Sequence, residues 1–244
     1  MTGNAPRRSF LARLTAGAAA FGAALAADSA PLRAMHATHD AAPSGRASRA
    51  TGDEFKPVRH PQDDWFDVVP GKHRIFFDCI SPNGAAEGLV FASNYAAANK
   101  SGYALGDTDL AVVLCYRHWA TPFAFNDAAW AKYGEAWGKY IGFNDPATSA
   151  PPVRNVWNAR GLPGRPLNRG ITIESAVARG WHFAVCDMAT RAFAGLAAKP
   201  GGPSTDEIYA ELKQSTYGNA HFVAAGIVAV DRAQERGYSF SYIG

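Results

Sequence analysis

From Asp109 to Tyr116 the chain carries Leu-Ala-Val-Val-Leu-Cys, an almost unbroken apolar run with no polar residue at alternate positions. A strand with one face in water alternates apolar and polar residues, so a continuous run of this length predicts a central strand of a parallel sheet, covered on both faces. Parallel neighbours need crossover connections, usually helical, and the flanking sequence supplies them. The run thus points to an α/β protein.

The rest of the chain has the same grain. His73 to Asp78 is a short apolar and aromatic strand. Ser81 and Pro82 then supply a cap and a first-turn proline for a helix that is compatible from Ala85 to Lys100 and stopped by Gly102. A helix is expected from Asn126 to about Tyr140, and a short one from Ile171 through Val177 that ends at Gly180. Trp181–Cys186 reads as a strand and Met188–Ala198 as the helix after it. Ser204-Thr-Asp-Glu207 is a capping box that opens a further helix through Leu212. His221–Ala225 is a strand, Ile227–Arg236 a helix closed by Gly237, and Tyr238–Ile243 alternates in the manner of an edge strand. Strand and helix in alternation predict a three-layer α/β/α fold around a mainly parallel sheet of about five strands.

The front of the chain is of a different kind. Arg7 and Arg8 stand together before Ser9-Phe10-Leu11, and an alanine-rich apolar run without an acid extends from Leu14 to Ala26. That run is short for a permanent anchor, which takes ~20 apolar residues, and it ends in Ala24-Leu25-Ala26, a small-x-small cleavage signal. Paired arginines followed by Phe-Leu resemble the twin-arginine signal, whose pathway delivers folded proteins to the periplasm. Residues 1–27 are thus expected to be removed on export.

Export changes the charge argument. The chain has 24 Lys+Arg against 21 Asp+Glu; without Arg7, Arg8 and Arg13 the mature portion holds 21 of each. A formally neutral protein has neither the basic stripe of a nucleic-acid binder nor the basic amphipathic helix of a membrane-surface protein, so neither partner is expected after signal removal. Residues 28–70 contain few large apolar side chains before Phe55 and are expected to form a flexible linker, with Trp65, Phe66, Val68 and Val69 marking where packing begins. His36 and His39 lie in that linker and read as solvated residues rather than metal ligands. The domain proper is expected over 71–244, with a long insertion at about 117–169. The insertion is rich in aromatic residues, and Trp130, Tyr133 and Trp137 fall at i, i+3 and i+7, a stripe expected to pack into a core, with a lid over the sheet edge or packing on a neighbouring subunit as the alternatives.

Two segments carry a family resemblance. Gly180-Trp-His-Phe-Ala-Val-Cys186-Asp-Met-Ala-Thr-Arg191 and the closing Ala225-Gly-Ile-Val-Ala-Val-Asp-Arg-Ala-Gln-Glu-Arg-Gly237-Tyr resemble the DsrE/DsrF-like (YchN-like) family, over about residues 72–244. The resemblance implies a parallel-sheet α/β domain that assembles into homo-oligomers. For some members it also implies a sulfur relay in which a cysteine between a central strand and a helix carries persulfide. Cys186 matches that position, and the partner would be a sulfur-donor or sulfur-acceptor protein or a small thiol. The long insertion and the export signal depart from the small cytoplasmic relay proteins.

The cysteines can also be read without the resemblance. All three, Cys79, Cys115 and Cys186, fall at the carboxyl end of an expected strand, the edge outside which open α/β sheets bind ligands. Cys186 would also stand at the amino end of a helix, where free N–H groups and the helix dipole favour a thiolate, with Asp187 beside it opposing the anion. It is the candidate nucleophile, with Cys79 and Cys115 as possible additional thiols. Packing as small apolar residues, or pairing as a disulfide in an oxidising compartment, are the competing readings.

Asn83, Arg117, His118, Asp187 and Arg191 are expected near the same edge as substrate-binding residues, the arginines and His118 being suited to an anion. His118 with the cysteines would suit zinc or copper by ligand type, yet without a C-x-x-C pair no metal site is predicted. No Walker, G-x-G-x-x-G, G-x-S-x-G or H-E-x-x-H motif is present, so no cofactor and no enzyme class is indicated. Two functions follow from these residues: a periplasmic sulfur or thiol carrier working through Cys186, and a non-catalytic binding or assembly module whose cysteines are structural.

Overall fold

A computed structural model describes residues 56–160 and 166–244. The signal expected over 1–27, with Arg7 and Arg8, and the linker histidines His36 and His39 lie outside the described residues. Five strands form one parallel sheet: β1 (His73–Cys79), β2 (Leu110–Tyr116), β3 (His182–Cys186), β4 (Ala220–Val223) and β5 (Ser239–Ile243), in the order β4-β3-β2-β1-β5. Around them lie α1 (Trp65–Val68), α2 (Pro82–Tyr103), α3 (Asp127–Ile141), α4 (Ile173–Ala178), α5 (Asp187–Ala197), α6 (Thr205–Lys213) and α7 (Gly226–Gln234).

The apolar run of β2 explains the layering. Val112, Leu114 and Tyr116 face a core shared with α2, α3, α4, α5 and α6. Ala111, Val113 and Cys115 face a second core that Phe66 of α1 and Ala229 and Ala233 of α7 complete. Every β2 residue is buried, which is why alternation was absent from its sequence. The crossover through α7 carries the chain from β4 at one edge to β5 at the other, the edge position expected for this strand, but its faces are reversed from the alternation: Phe240 and Tyr242 stay partly in solvent and Ile243 is buried.

Local signals fix the helix starts. Ser81 Oγ accepts from the Gly84 N–H at 2.8 Å, and the capping box at Ser204 and Glu207 is formed in both directions. One expected stop moves: α2 runs through Gly102 to Tyr103 and is closed by Ala104 in the left-handed conformation.

One expectation needs correction. The linker boundary expected at residue 70 is too late, because Asp63 and Phe66 are already buried, in line with the packing expected to begin at Trp65 and Phe66. A 3-10 turn over Pro61–Asp63 leads into α1, Phe66 is fully buried, and the Tyr238 hydroxyl donates to the Phe66 carbonyl at 2.7 Å. The aromatic stripe of the insertion packs into the core, one of the arrangements its spacing allowed. Trp130 and Trp137 are fully buried, their indole N–H groups donating to the Pro122 and Phe193 carbonyls, and Tyr133 is 8% exposed. Only Trp119 and Tyr140 of the insertion's tryptophans and tyrosines reach solvent to a large extent, and both stand at the carboxyl edge of the sheet.

Candidate functional site at the carboxyl edge of the sheet

A recess of about 350 Å³ opens where β2, β3 and β4 end. Its floor is formed by small residues at the strand-to-helix junctions, Ala189 of α5 and Ala225 and Gly226 at the start of α7, together with the Cys186 thiol. Phe193 and Leu196 extend one wall along α5, and Trp119, Tyr140, Met188 and Ile227 stand around the mouth. Arg117 and His118, from the turn after β2, supply the remaining polar groups.

Of the predicted site residues, the fold brings Cys186, Arg117 and His118 together in this recess. Cys186 is the last residue of β3 and the N-cap of α5, and its Sγ accepts from the Ala189 N–H at 3.5 Å. The sulfur thus meets one of the free donors that every helix start leaves unpaired. It is 7% exposed and lines the recess. His118 has a positive φ of 53° and stacks on Trp119 at 4.9 Å, turned to the mouth.

Arg117 is differently placed from its expected role as an anion ligand. Its guanidinium donates to both carboxylate oxygens of Asp78, at 2.6 and 2.8 Å, and Asp78 is 1% exposed. Hydrogen bonding to that carboxylate, against a smaller opposing cost of burial, raises the Arg117 pKa, so this cation is committed inside the protein. Gly226 makes the arrangement possible. A Cβ there would overlap the Arg117 side chain, which crosses directly over the first residue of α7.

The other candidates lie elsewhere. Asn83 is exposed in the first turn of α2 and does not line the recess. Asp187 turns to α6, accepting from the Tyr209 hydroxyl at 2.8 Å and Lys213 Nζ at 2.8 Å. Those hydrogen bonds outweigh its burial and hold its pKa below the usual carboxylate range. Arg191 pairs with Asp206 at 2.8 Å and lies 4.1 Å above the Tyr209 ring.

Cys79 and Cys115 share the sheet edge with Cys186 but not the recess. In the β1–β2 register Asp78 is opposite Cys115, so Cys79 is one residue out of step and faces the other side of the sheet. Its Sγ packs on α2 where Gly88 leaves room, while the Cys115 Sγ lies against the Gly226 carbonyl at 4.0 Å. Burial, with Asp78 next in effect, pushes both thiols well above their ordinary pKa. All three cysteines are free.

Sequence reasoning missed two features. One is the apolar lining: Met188, Ala192 and Leu196 follow one another at i, i+4 and i+8 on α5, beside the core stripe of Phe193, Ala194 and Ala197. An apolar arc wider than packing requires was the available signal. The other, at the opposite end of β3 and β4, is a stack of Trp65, His221 and His182. Trp65 lies 4.0 Å from His221 at 4°, and His182 Nδ1 is 2.9 Å from His221 Nε2. Among the described residues no group of three or more His, Cys, Asp or Glu side chains could hold a metal ion, and no helix is long and apolar enough to cross a membrane.

Fold and site together define a three-layer parallel α/β protein with one thiol opening on an apolar recess at the carboxyl edge of its sheet. No family model matches the chain, and neither the curated proteins nor the solved structures contain a match to it.

Proposed function

We propose that this chain is an exported, DsrE-like sulfur or thiol carrier in which Cys186 holds the sulfur. The observation that carries the reading is the separation of the three thiols: Cys79 and Cys115 are packed into opposite faces of the sheet, whereas Cys186 alone opens on the recess and meets a helix N–H. A thiol that is sheltered yet reachable suits a persulfide, which bulk solvent and free thiols would discharge. With a persulfide donor R–S–SH, the Cys186 sulfur attacks the outer sulfur and the donor S–S bond breaks. R–S⁻ leaves and takes up the proton given by Cys186, leaving Cys186–S–SH and R–SH with no net oxidation.

The test is mass spectrometry after incubation with a low-molecular-weight persulfide. A gain of one sulfur atom confined to the peptide bearing Cys186, and absent from Cys186→Ser, supports the transfer; gain on Cys79 or Cys115 instead refutes it. Export is proposed from the paired arginines and the apolar run behind them. Replacing Arg7 and Arg8 with Lys should leave the precursor in the cytoplasm, and unchanged periplasmic yield contradicts a twin-arginine route.

A second reading has its own support. Met188 is 70% exposed and Ile227 61%, so the mouth of the recess presents apolar surface that binding alone, without chemistry at Cys186, would use.

A further inference from the structure

The lining of the recess points to what enters it. Its depth comes from side chains of minimal size, Ala189, Ala192, Ala225 and Gly226, while large apolar groups stand around them. A flat protein–protein patch needs no such floor; a concavity of small residues ringed by apolar ones accommodates a ligand body. The volume of about 350 Å³ is at the lower end of small-molecule sites, which run ~300–1,000 Å³.

Charge then narrows the class. Arg117 is the one lysine or arginine on the lining, and both ends of its guanidinium fork are bound to the buried Asp78 carboxylate. An anion placed here would lose its hydration and find Arg117 already neutralised by Asp78 and, besides it, only the His118 ring at the mouth, a net cost. An uncharged apolar body loses nothing by leaving water and covers Leu196 and Met188, which are 38% and 70% exposed.

We infer that the recess takes a neutral, apolar small molecule, an aromatic or branched alkyl body, with its reactive or sulfur-bearing end toward Cys186. The orientation rests on the reading of Cys186 as the working thiol; the ligand class rests on the lining alone. In sulfur transfer, the group R of the donor or acceptor thiol is then apolar, which disfavours charged peptide thiols and inorganic sulfur oxyanions.

The experiment is a fluorescence titration of the full chain with N-phenyl-1-naphthylamine, a neutral apolar fluorophore. It is run on the wild type, Ala192→Trp to fill the recess, Leu196→Glu to put a charge on its wall, and Cys186→Ala to remove the thiol. Saturable binding is expected in the wild type and in Cys186→Ala, weakened by about tenfold or more in Ala192→Trp and Leu196→Glu. Because Leu196 is partly exposed, its variant keeps the test decisive if Ala192→Trp does not fold. Equal binding by all four proteins, or displacement of the probe by thiosulfate at low concentration, overturns the inference. So does a wild-type dimer that excludes the probe and that Leu196→Glu dissociates, because the recess then belongs to a subunit interface. Alkylation of Cys186 by N-phenylmaleimide and by iodoacetate separates the two claims. Probe binding with an inert Cys186 defeats the carrier reading only, and a reactive Cys186 without probe binding defeats the ligand class only.

Discussion

The Asp78 carboxylate, 1% exposed at the end of β1, is held at two points by the Arg117 guanidinium that follows β2, with contacts of 2.6 and 2.8 Å. The pair ties β1 and β2 together at their carboxyl ends and neutralises the only lysine or arginine that lines the recess. It also sets the shape of the recess, since Arg117 lies over Gly226 and Gly226 opens α7.

Truncating Arg117 should therefore cost stability. Arg117→Ala leaves a buried carboxylate unpaired, and breaking such a pair costs about 3–5 kcal/mol when both groups are dry. The guanidinium side is 22% exposed, so a loss of about 2–3 kcal/mol is expected here. Urea denaturation measures it. Arg117→Met combined with Asp78→Asn should recover part of the loss, and a double variant less stable than either single one would show that the pair is not the source.

Cys79 is assigned to packing by its neighbour. A Cβ on Gly88 would lie 2.5 Å from the Cys79 Sγ, so Gly88→Ala should destabilise by about 1–3 kcal/mol through overpacking. Adding Cys79→Ala removes the sulfur that the new methyl meets, and the double variant should regain most of the loss. If Cys79→Ala gives no relief in thermal denaturation, the contact is not what holds α2 against β1.

How far the sequence reached is clearest from particular elements. The continuous apolar run of β2 implied burial on two faces, and the capping box at Ser204 was readable because it is a local pattern within a few residues; the alternation before Ile243 located an edge strand but not which of its faces is buried. The faces of the cysteines were not readable. Position along a strand gives parity, but the one-residue offset between Cys79 and Cys115 is set by register with a neighbour distant in the chain. For the same reason Arg117 looked like a free cation, since Asp78 stands 39 residues earlier. Trp65, Phe66, Val68 and Val69 signalled the start of packing, but the domain boundary was set after them because α1 is a single turn whose anchor, Phe66, packs against Phe76 and Tyr238, distant in the chain.

The stack of Trp65, His221 and His182 makes stability depend on pH. Burial lowers both histidine pKa values, that of His221 to about 4, with His182 beside it adding to the effect. The folded protein then binds fewer protons than the unfolded chain between about pH 4 and the ordinary histidine value of ~6.5, so stability falls as pH drops through that window and is unaffected above it. Chemical denaturation at pH 7.5 and at pH 5 (about one and a half units below the ordinary value) reads the difference. His221→Phe keeps a ring on Trp65 without a titrating group and should reduce the slope; an unchanged slope would locate the pH dependence elsewhere.

The central claim is that Cys186 is the one thiol the fold offers for chemistry, and native-state labelling tests it most directly. The folded protein, treated at neutral pH with a small neutral alkylating agent and quenched over time, is digested and read by mass spectrometry. Cys186 should label while Cys79 and Cys115 stay unmodified until denaturant is added, because their sulfurs are fully buried and burial holds both thiols protonated. Labelling of Cys186 only after unfolding, or labelling of Cys79 or Cys115 at a matching rate in the folded state, would contradict the account.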